Sequence, residues 1–218
     1  MKKKKLWVFV CIVSLIGLAT GVLASSELFG TIKQVQENEY ALNNMCLFET
    51  VKDFEIVYPN VIIPNNLLGY ELEYLLVTED PFIDQKFYEE VIKNKKLEWQ
   101  HDLSLIDYLE VSYKNQHSEV IKLHYKDASK QFIPQLDNYI SDKIQIGDVT
   151  YNIYHDGANL KFITFEKELW GKNYNVHVEL LKTESDGSVV NQFEWDKDKN
   201  EITEFLQSLS LNNLIEEK

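Results

Sequence analysis

Three period-two runs between Lys143 and Leu181 constrain the fold of this chain more than any other feature. Val149, Tyr151 and Ile153 share one face, Leu160, Phe162 and Thr164 repeat the pattern, and Tyr174, Val176, Val178 and Leu180 extend it. Alternation built from β-branched and aromatic residues predicts strands with one buried face, because successive strand side chains point to opposite sides. Asp156-Gly157 supplies a two-residue hairpin turn, a dipeptide that tolerates positive φ. The expected centre of the molecule is an antiparallel meander.

Further elements read from both sides of it. Tyr70 to Val77 alternates, and Leu109–Tyr113 with Val120–Tyr125 predicts a hairpin around Lys114 to His117. Thr50 to Tyr58 reads as a strand through Phe54, Ile56 and Tyr58, and Val189 to Trp195 as another after the Asp186-Gly187 turn. Glu27 to Asn44 reads as a helix or an extended stalk. Thr78-Glu79-Asp80-Pro81 opens a helix with Phe82, Phe87 and Val91 facing inward. A closing helix buries Ile202, Phe205, Leu206 and Leu209, with Asp198 and Glu201 at capping-box spacing. The fold class is α+β: antiparallel β-sheet packed by one or two helices.

The first residues carry an address. Lys2 to Lys5 precede 18 uncharged residues, Leu6 to Leu23. A lysine cluster ahead of an apolar run keeps the N-terminus in the cytoplasm while the run enters the membrane. Cleavage before Ser25 fits Val22-Leu23-Ala24, and an uncleaved anchor fits a helix of about 27 Å. The chain divides into a signal peptide or membrane anchor over 1–24, a helix or stalk with a first strand over 25–58, and a single α+β domain over 59–218. The body is expected outside the cytoplasm, secreted or anchored by residues 6–23.

Charge narrows the partners. Without the four leading lysines the chain holds 18 lysines, no arginine and 35 acids, a formal −17. Bidentate guanidinium recognition of phosphate is absent, and so acidic a body argues against nucleic acid. With Cys11 inside the apolar run, Cys46 stands alone outside it, so no intramolecular disulfide can staple the domain.

Motifs for chemistry are sparse. The five histidines (His101, His117, His124, His155, His177) are scattered, none at metal-ligand spacing, and His124 and His177 alternate with apolar neighbours and should face solvent. No nucleophile elbow, phosphate loop or cysteine–histidine context occurs. Asp196, Asp198 and Asn200 resemble the opening of a calcium loop, but Glu201 stands where its glycine belongs and Gln207 where its closing glutamate belongs. The capping reading explains the same residues, and no metal or cofactor is expected. Trp170 reads as an exposed indole or as a cover for one end of the sheet.

Several segments together resemble a family. Val61-Ile62-Ile63-Pro64 with Leu68-Gly69-Tyr70-Glu71-Leu72 resembles its opening turn and strand, and Glu110–Asn115 with Ile121-Lys122-Leu123 its central hairpin. Ile146-Gly147-Asp148-Val149 and Ile202–Leu209 are similar to its last strands and helix. The family is an uncharacterised extracytoplasmic domain of Gram-positive-type bacteria, often joined to a transmembrane helix and sometimes to anti-sigma-factor modules. Its sheet looks related to the half-open barrel of lipoprotein carriers. Five residues ahead of the apolar run are too few for an anti-sigma module.

The resemblance implies a curved sheet and a non-enzymatic binding or sensor domain for a protein, peptide or apolar, lipid-like ligand at the cell surface. Tyr151, Ile153, Phe162, Tyr174 and Val176 would then line its concave face. The competing expectation is an exported hydrolase using carboxylates that the sequence does not single out.

Overall fold

The meander forms as its alternation dictates. Strands β10 (Ile140–Ile146), β11 (Val149–His155), β12 (Leu160–Leu169) and β13 (Lys172–Thr183) follow one another in the computed structural model as antiparallel neighbours. The model describes residues 31–36, 39–80, 86, 89, 93, 96–98, 100–129, 139–211 and 215–217. The preceding elements are β1 (Thr31–Gln36), β2 (Glu39–Asn43), β3 (Met45–Phe48), α1 (Val51–Val57), β4 (Val61–Ile62), β5 (Asn66–Leu67), β6 (Tyr70–Glu79), β7 (Lys96–Glu98), β8 (Ile106–Lys114) and β9 (Glu119–Asp127). After the meander come β14 (Val189–Asn191), α2 (Lys199–Leu211) and β15 (Glu216–Glu217).

Ten strands form one antiparallel sheet whose main path runs β10-β11-β12-β13-β9-β8-β6-β3, with β14 beside β13 and β5 beside β6. The fold is a sheet-dominated α+β arrangement in which α1 and α2 are the two helices described along their length. Tight turns hold the meander together. At the β12–β13 corner Trp170 (φ 53°) and Gly171 (φ 71°) are both left-handed, the conformation whose twist matches a two-residue hairpin. The joint between sheet halves is β13 against β9, which sets Val176 opposite Tyr125 and His177 opposite His124.

One face of the sheet is the core. Leu75, Val77, Leu109, Val111, Ile121, Leu123, Ile153, Val176 and Val178 are buried there with Val51 and Phe54 of α1 and Ile202, Leu206 and Leu209 of α2. Each fully buried apolar side chain of this size contributes roughly 1.5–3 kcal/mol, so this continuous layer dominates stability.

Several elements differ from the sequence reading. Thr50 to Tyr58 is not a strand: residues 51–57 are α1. Thr50 caps it, its Oγ1 accepting from the Asp53 N–H at 3.1 Å and donating to the Asp53 carboxylate at 2.7 Å. Val51, Phe54 and Tyr58 are buried at helical spacing, whereas Ile56, which the alternation placed inward, is 74% exposed. The described part of Glu27 to Asn44 is extended, with β1 pairing β2 on one side and β7 on the other. The inward face of the helix read at Phe82, Phe87 and Val91 lies outside the described residues; Lys86, Glu89 and Lys93 are helical and exposed. The strand read through Trp195 stops at Asn191.

The leader read at 1–24 also lies outside the described residues. Among the described residues no helix is long and apolar enough to cross a membrane.

Candidate functional site

A strand that buries alternate residues must present the others on its second face, and this sheet puts its chemistry there. Opposite the helices lie Tyr74 of β6, Tyr108 and Glu110 of β8, Lys122 and His124 of β9, Phe162 of β12, His177 and Glu179 of β13, and Tyr154 of β11. Pairing fixes their order: Glu110 lies opposite His124 and His124 opposite His177. His177 then faces Thr164, and Tyr154 faces Phe162.

Two networks meet on this face. The first is ionic and centred on Glu110. Its carboxylate accepts from the Tyr74 hydroxyl at 2.6 Å, the Tyr108 hydroxyl at 2.8 Å and the Lys122 ammonium at 3.1 Å. Lys122 also donates to the Tyr74 hydroxyl at 2.9 Å. The His124 Nδ1 lies 2.7 Å from the Tyr108 oxygen and 3.4 Å from Glu110. The second network is a ribbon of rings. Tyr139 meets Phe162 at 5.8 Å, Tyr154 stacks on Phe162 at 4.6 Å, and Phe162 lies 4.4 Å from His177. His177 meets His124 edge-on at 5.5 Å, and His124 lies 6.1 Å from Tyr108. Six rings thus run from the start of β10 to β8.

Half-burial shapes the protonation of these groups. Burial alone would raise the Glu110 pKa, but hydrogen bonds from His124, Tyr74 and Tyr108 hold it well below the usual carboxylate range. Burial alone would lower His124, yet Glu110 and Glu179 raise it to about 9. His177 is pushed down to about 4, first by burial and then by the His124 cation, against the pull of Glu179. Lys122 is raised to about 12 because Tyr74 and Glu110 outweigh its burial.

The two facing histidines are therefore shifted in opposite directions, and stability should peak near neutral pH. The contribution of His124 is complete below its unfolded value, about 6.5, and is lost as pH rises through its folded value near 9. That of His177 is complete above about 6.5 and is lost as pH falls toward 4. Glu110 adds to the acid loss, since a depressed carboxylate pKa stabilises only above its unfolded value. Each histidine shift corresponds to an upper bound of about 3 kcal/mol. Urea titrations from acid to alkaline pH should show the maximum near pH 6.5 in wild type, and its alkaline limb should flatten in His124→Gln.

The residues expected to line a ligand site do not share a face. Tyr151, Ile153, Tyr174 and Val176 lie in the core at 0–2% exposure, packed with the helices, while Phe162 lies on the opposite side. The cause is a β-bulge. Tyr154 pairs with Phe162 and His155 with Leu160, so Lys161 is an extra residue and the alternation changes phase. Leu160 faces the core before the bulge, Ile163 and Phe165 after it. The turn itself spans four residues, 156–159, with the Asp156 carboxylate accepting from the Asn159 N–H at 2.8 Å.

His124 and His177, expected to face solvent, belong to the half-buried network instead. His155 is buried, stacked on Trp195 at 4.9 Å, with Nε2 3.0 Å from Asp142. Trp170 packs edge-on against Tyr174 at 5.7 Å, as a cover for the sheet end would. Asp198 bonds backward, its carboxylate accepting from the Glu194 N–H at 2.8 Å, and the forward bonds of a capping box do not form. Asp196 and Asn200 beside it are exposed.

A second buried acid ties α1 to the sheet. Glu79 is fully buried, accepting from the Tyr58 hydroxyl at 2.8 Å and lying 2.8 Å from the His101 Nδ1. Burial and the charge of Glu79 push the neighbouring Cys46 thiol up, which leaves it a poor nucleophile. A surface trough of about 560 Å³ lies between Leu68–Glu73 and Lys114–His117, with Glu71, Glu73 and His117 open to solvent. No family model, curated protein or solved structure matches this chain.

Proposed function

We propose that the chain is an extracytoplasmic, non-enzymatic binding domain, secreted or held at the membrane by residues 6–23, that engages a protein or peptide with the outer face of its sheet. The observation that carries this reading is the six-ring ribbon joined to the Glu110 network. Aromatic side chains supply large contact area at small entropic loss, and a pre-paired polar network needs little reorganisation on binding. The curved, half-open sheet implied by the family resemblance belongs to the same proposal.

Two features favour this reading over its competitors. Tyr151, Ile153, Tyr174 and Val176 are buried in the one core cluster that also holds residues of α1 and α2, which favours a protein or peptide over an apolar ligand held on the core face. A hydrolase would need a carboxyl group raised toward neutral pH as its general acid. Glu110 and Glu179 are both lowered and held as anions.

The test has two parts. A reporter active only outside the cytoplasm, fused after Lys218, should give signal; a silent fusion with intact protein contradicts export. In native-size separations of envelope extracts, the wild-type chain should migrate in a complex. Tyr154→Asp should release it to the size of the free protein while leaving the melting temperature within a few degrees. Migration unchanged by Tyr154→Asp, or free wild-type protein throughout, contradicts binding by this face.

A further inference from the structure

We infer, on the reading that the outer face is the binding surface, that its occupant is a second copy of this chain. The two outer faces meet across a twofold axis that lies between them, parallel to the strands. At one end of the sheet path, β3 turns Cys46 and Phe48 into the core and leaves Met45 and Leu47 outward, at 56% and 51% exposure. Met45 and Leu47 pair with Thr78 and Leu76 of β6, which pair in turn with Tyr108 and Glu110 of β8. One row across the face therefore runs Thr164, His177, His124, Glu110, Leu76, Leu47. It is apolar at β3, ionic at β8 and β9, and flanked at its other end by Phe162 and Tyr154.

Such an order is self-complementary. With the axis between β9 and β8, each copy sets β9 over β8, β13 over β6 and β12 over β3 of the other, as an isologous contact requires. Met45 and Leu47 then cover the Phe162 end of the ribbon, and a thioether packs well on aromatic rings. Charge agrees with the same placement. The outward side chains of β9 are Lys122, His124 and Lys126, all basic, and β8 opposes them with Glu110. The whole chain carries a formal −13, so this balanced centre is where two copies meet with little repulsion. Size agrees too. The six strands from β12 to β3 span about 24 Å at roughly 4.8 Å per step. Strands β8, β9, β12 and β13 have nine to twelve residues, which is about 30 Å or more of length. A face of roughly 700 Å² approaches the ~800 Å² that each partner of a stable complex buries. Two sheets packed face to face with nearly aligned strands is the ordinary geometry of a sandwich.

Sedimentation velocity of the full-length chain, purified in mild detergent and run over a range of concentrations, should show a reversible dimer. Leu47→Asp should weaken it about tenfold or more, because the twofold axis presses the new carboxylate against an apolar surface twice. Ile56→Asp, on the helix side at 74% exposure, should leave it unchanged. Thermal melts establish that both variants fold. A photoreactive residue at Leu47, in chain mixed with an isotopically heavy copy, should form adducts with heavy peptides from β11 and β12. A dimer indifferent to Leu47→Asp overturns the inference, as do adducts from Leu47 to α1 or α2 of the heavy copy. A chain that sediments as a monomer throughout, yet forms a complex in envelope extracts that Tyr154→Asp releases, overturns the second copy and leaves the outer face to another protein. A monomer with no such complex overturns both.

Discussion

Tyr174→Ala is expected to lower the unfolding free energy by about 3–5 kcal/mol, the range for removing a large aromatic from a packed core. Tyr174 is fully buried on β13, at the joint between the sheet halves, and its hydroxyl donates to the Ile106 carbonyl at 3.0 Å. Tyr174→Phe separates the two contributions: the ring stays, the carbonyl loses its partner, and a loss of about 1–2 kcal/mol should remain. Urea denaturation of the three proteins measures both steps. A loss below 1 kcal/mol for Tyr174→Ala would mean that β13 does not form the centre of the core.

Glu110→Gln is expected to be nearly as damaging although the two side chains are alike in shape. Three donors converge on its carboxylate, from Tyr74, Tyr108 and Lys122, and the His124 ring stands beside it. Removing one partner of a mostly buried ion pair leaves uncompensated charge and typically costs about 3–5 kcal/mol; the 12% exposure of Glu110 places this case near the lower end. His124 should also lose part of its affinity for a proton, so the variant's alkaline loss of stability should shrink. Glu184→Gln is the control, because the exposed Lys182–Glu184 pair at 3.1 Å should contribute under about 1 kcal/mol. Equal stability of Glu110→Gln and wild type would mean that the network is superficial.

What could be read from the chain, and what could not, follows from the range of each signal. Period-two alternation and helical spacing are both local, so β11, β13 and the β8–β9 hairpin were legible from the first and the inward face of α2 from the second. Thr50 to Tyr58 carried two periods at once: Phe54, Ile56 and Tyr58 alternate, while Val51, Phe54 and Tyr58 repeat helically. The Thr50 cap with Asp53 decided for the helix, and that cap was the signal available in the sequence. Lys161 was not legible, because a bulge appears only when two strands pair. Its effect was to carry Phe162 to the face opposite Tyr151 and Ile153.

The outer-face site was hidden for a related reason. His124 and His177 are far apart in the chain, and only the pairing of β13 with β9, which skips over the rest of the meander, sets them opposite each other. Alternation correctly put both on the side away from the core. It could not show that neighbouring strands would supply Tyr108, Glu110 and Phe162 to half-bury them. Glu79 was hidden too, read as a helix-start acid when it closes β6 beneath Tyr58 and His101.

Face-resolved photo-crosslinking in the living cell tests the central claim most directly. A photoreactive residue at Tyr154 or Lys126 on the outer face should yield a discrete protein adduct, and one at Ile56 or Glu204 on the helix side should not. Adducts confined to the outer positions, and removed by Tyr139→Ala together with Phe162→Ala in a folded chain, are the result expected. Adducts from the helix side, or equal adducts from both sides, would place the binding surface elsewhere and contradict the account.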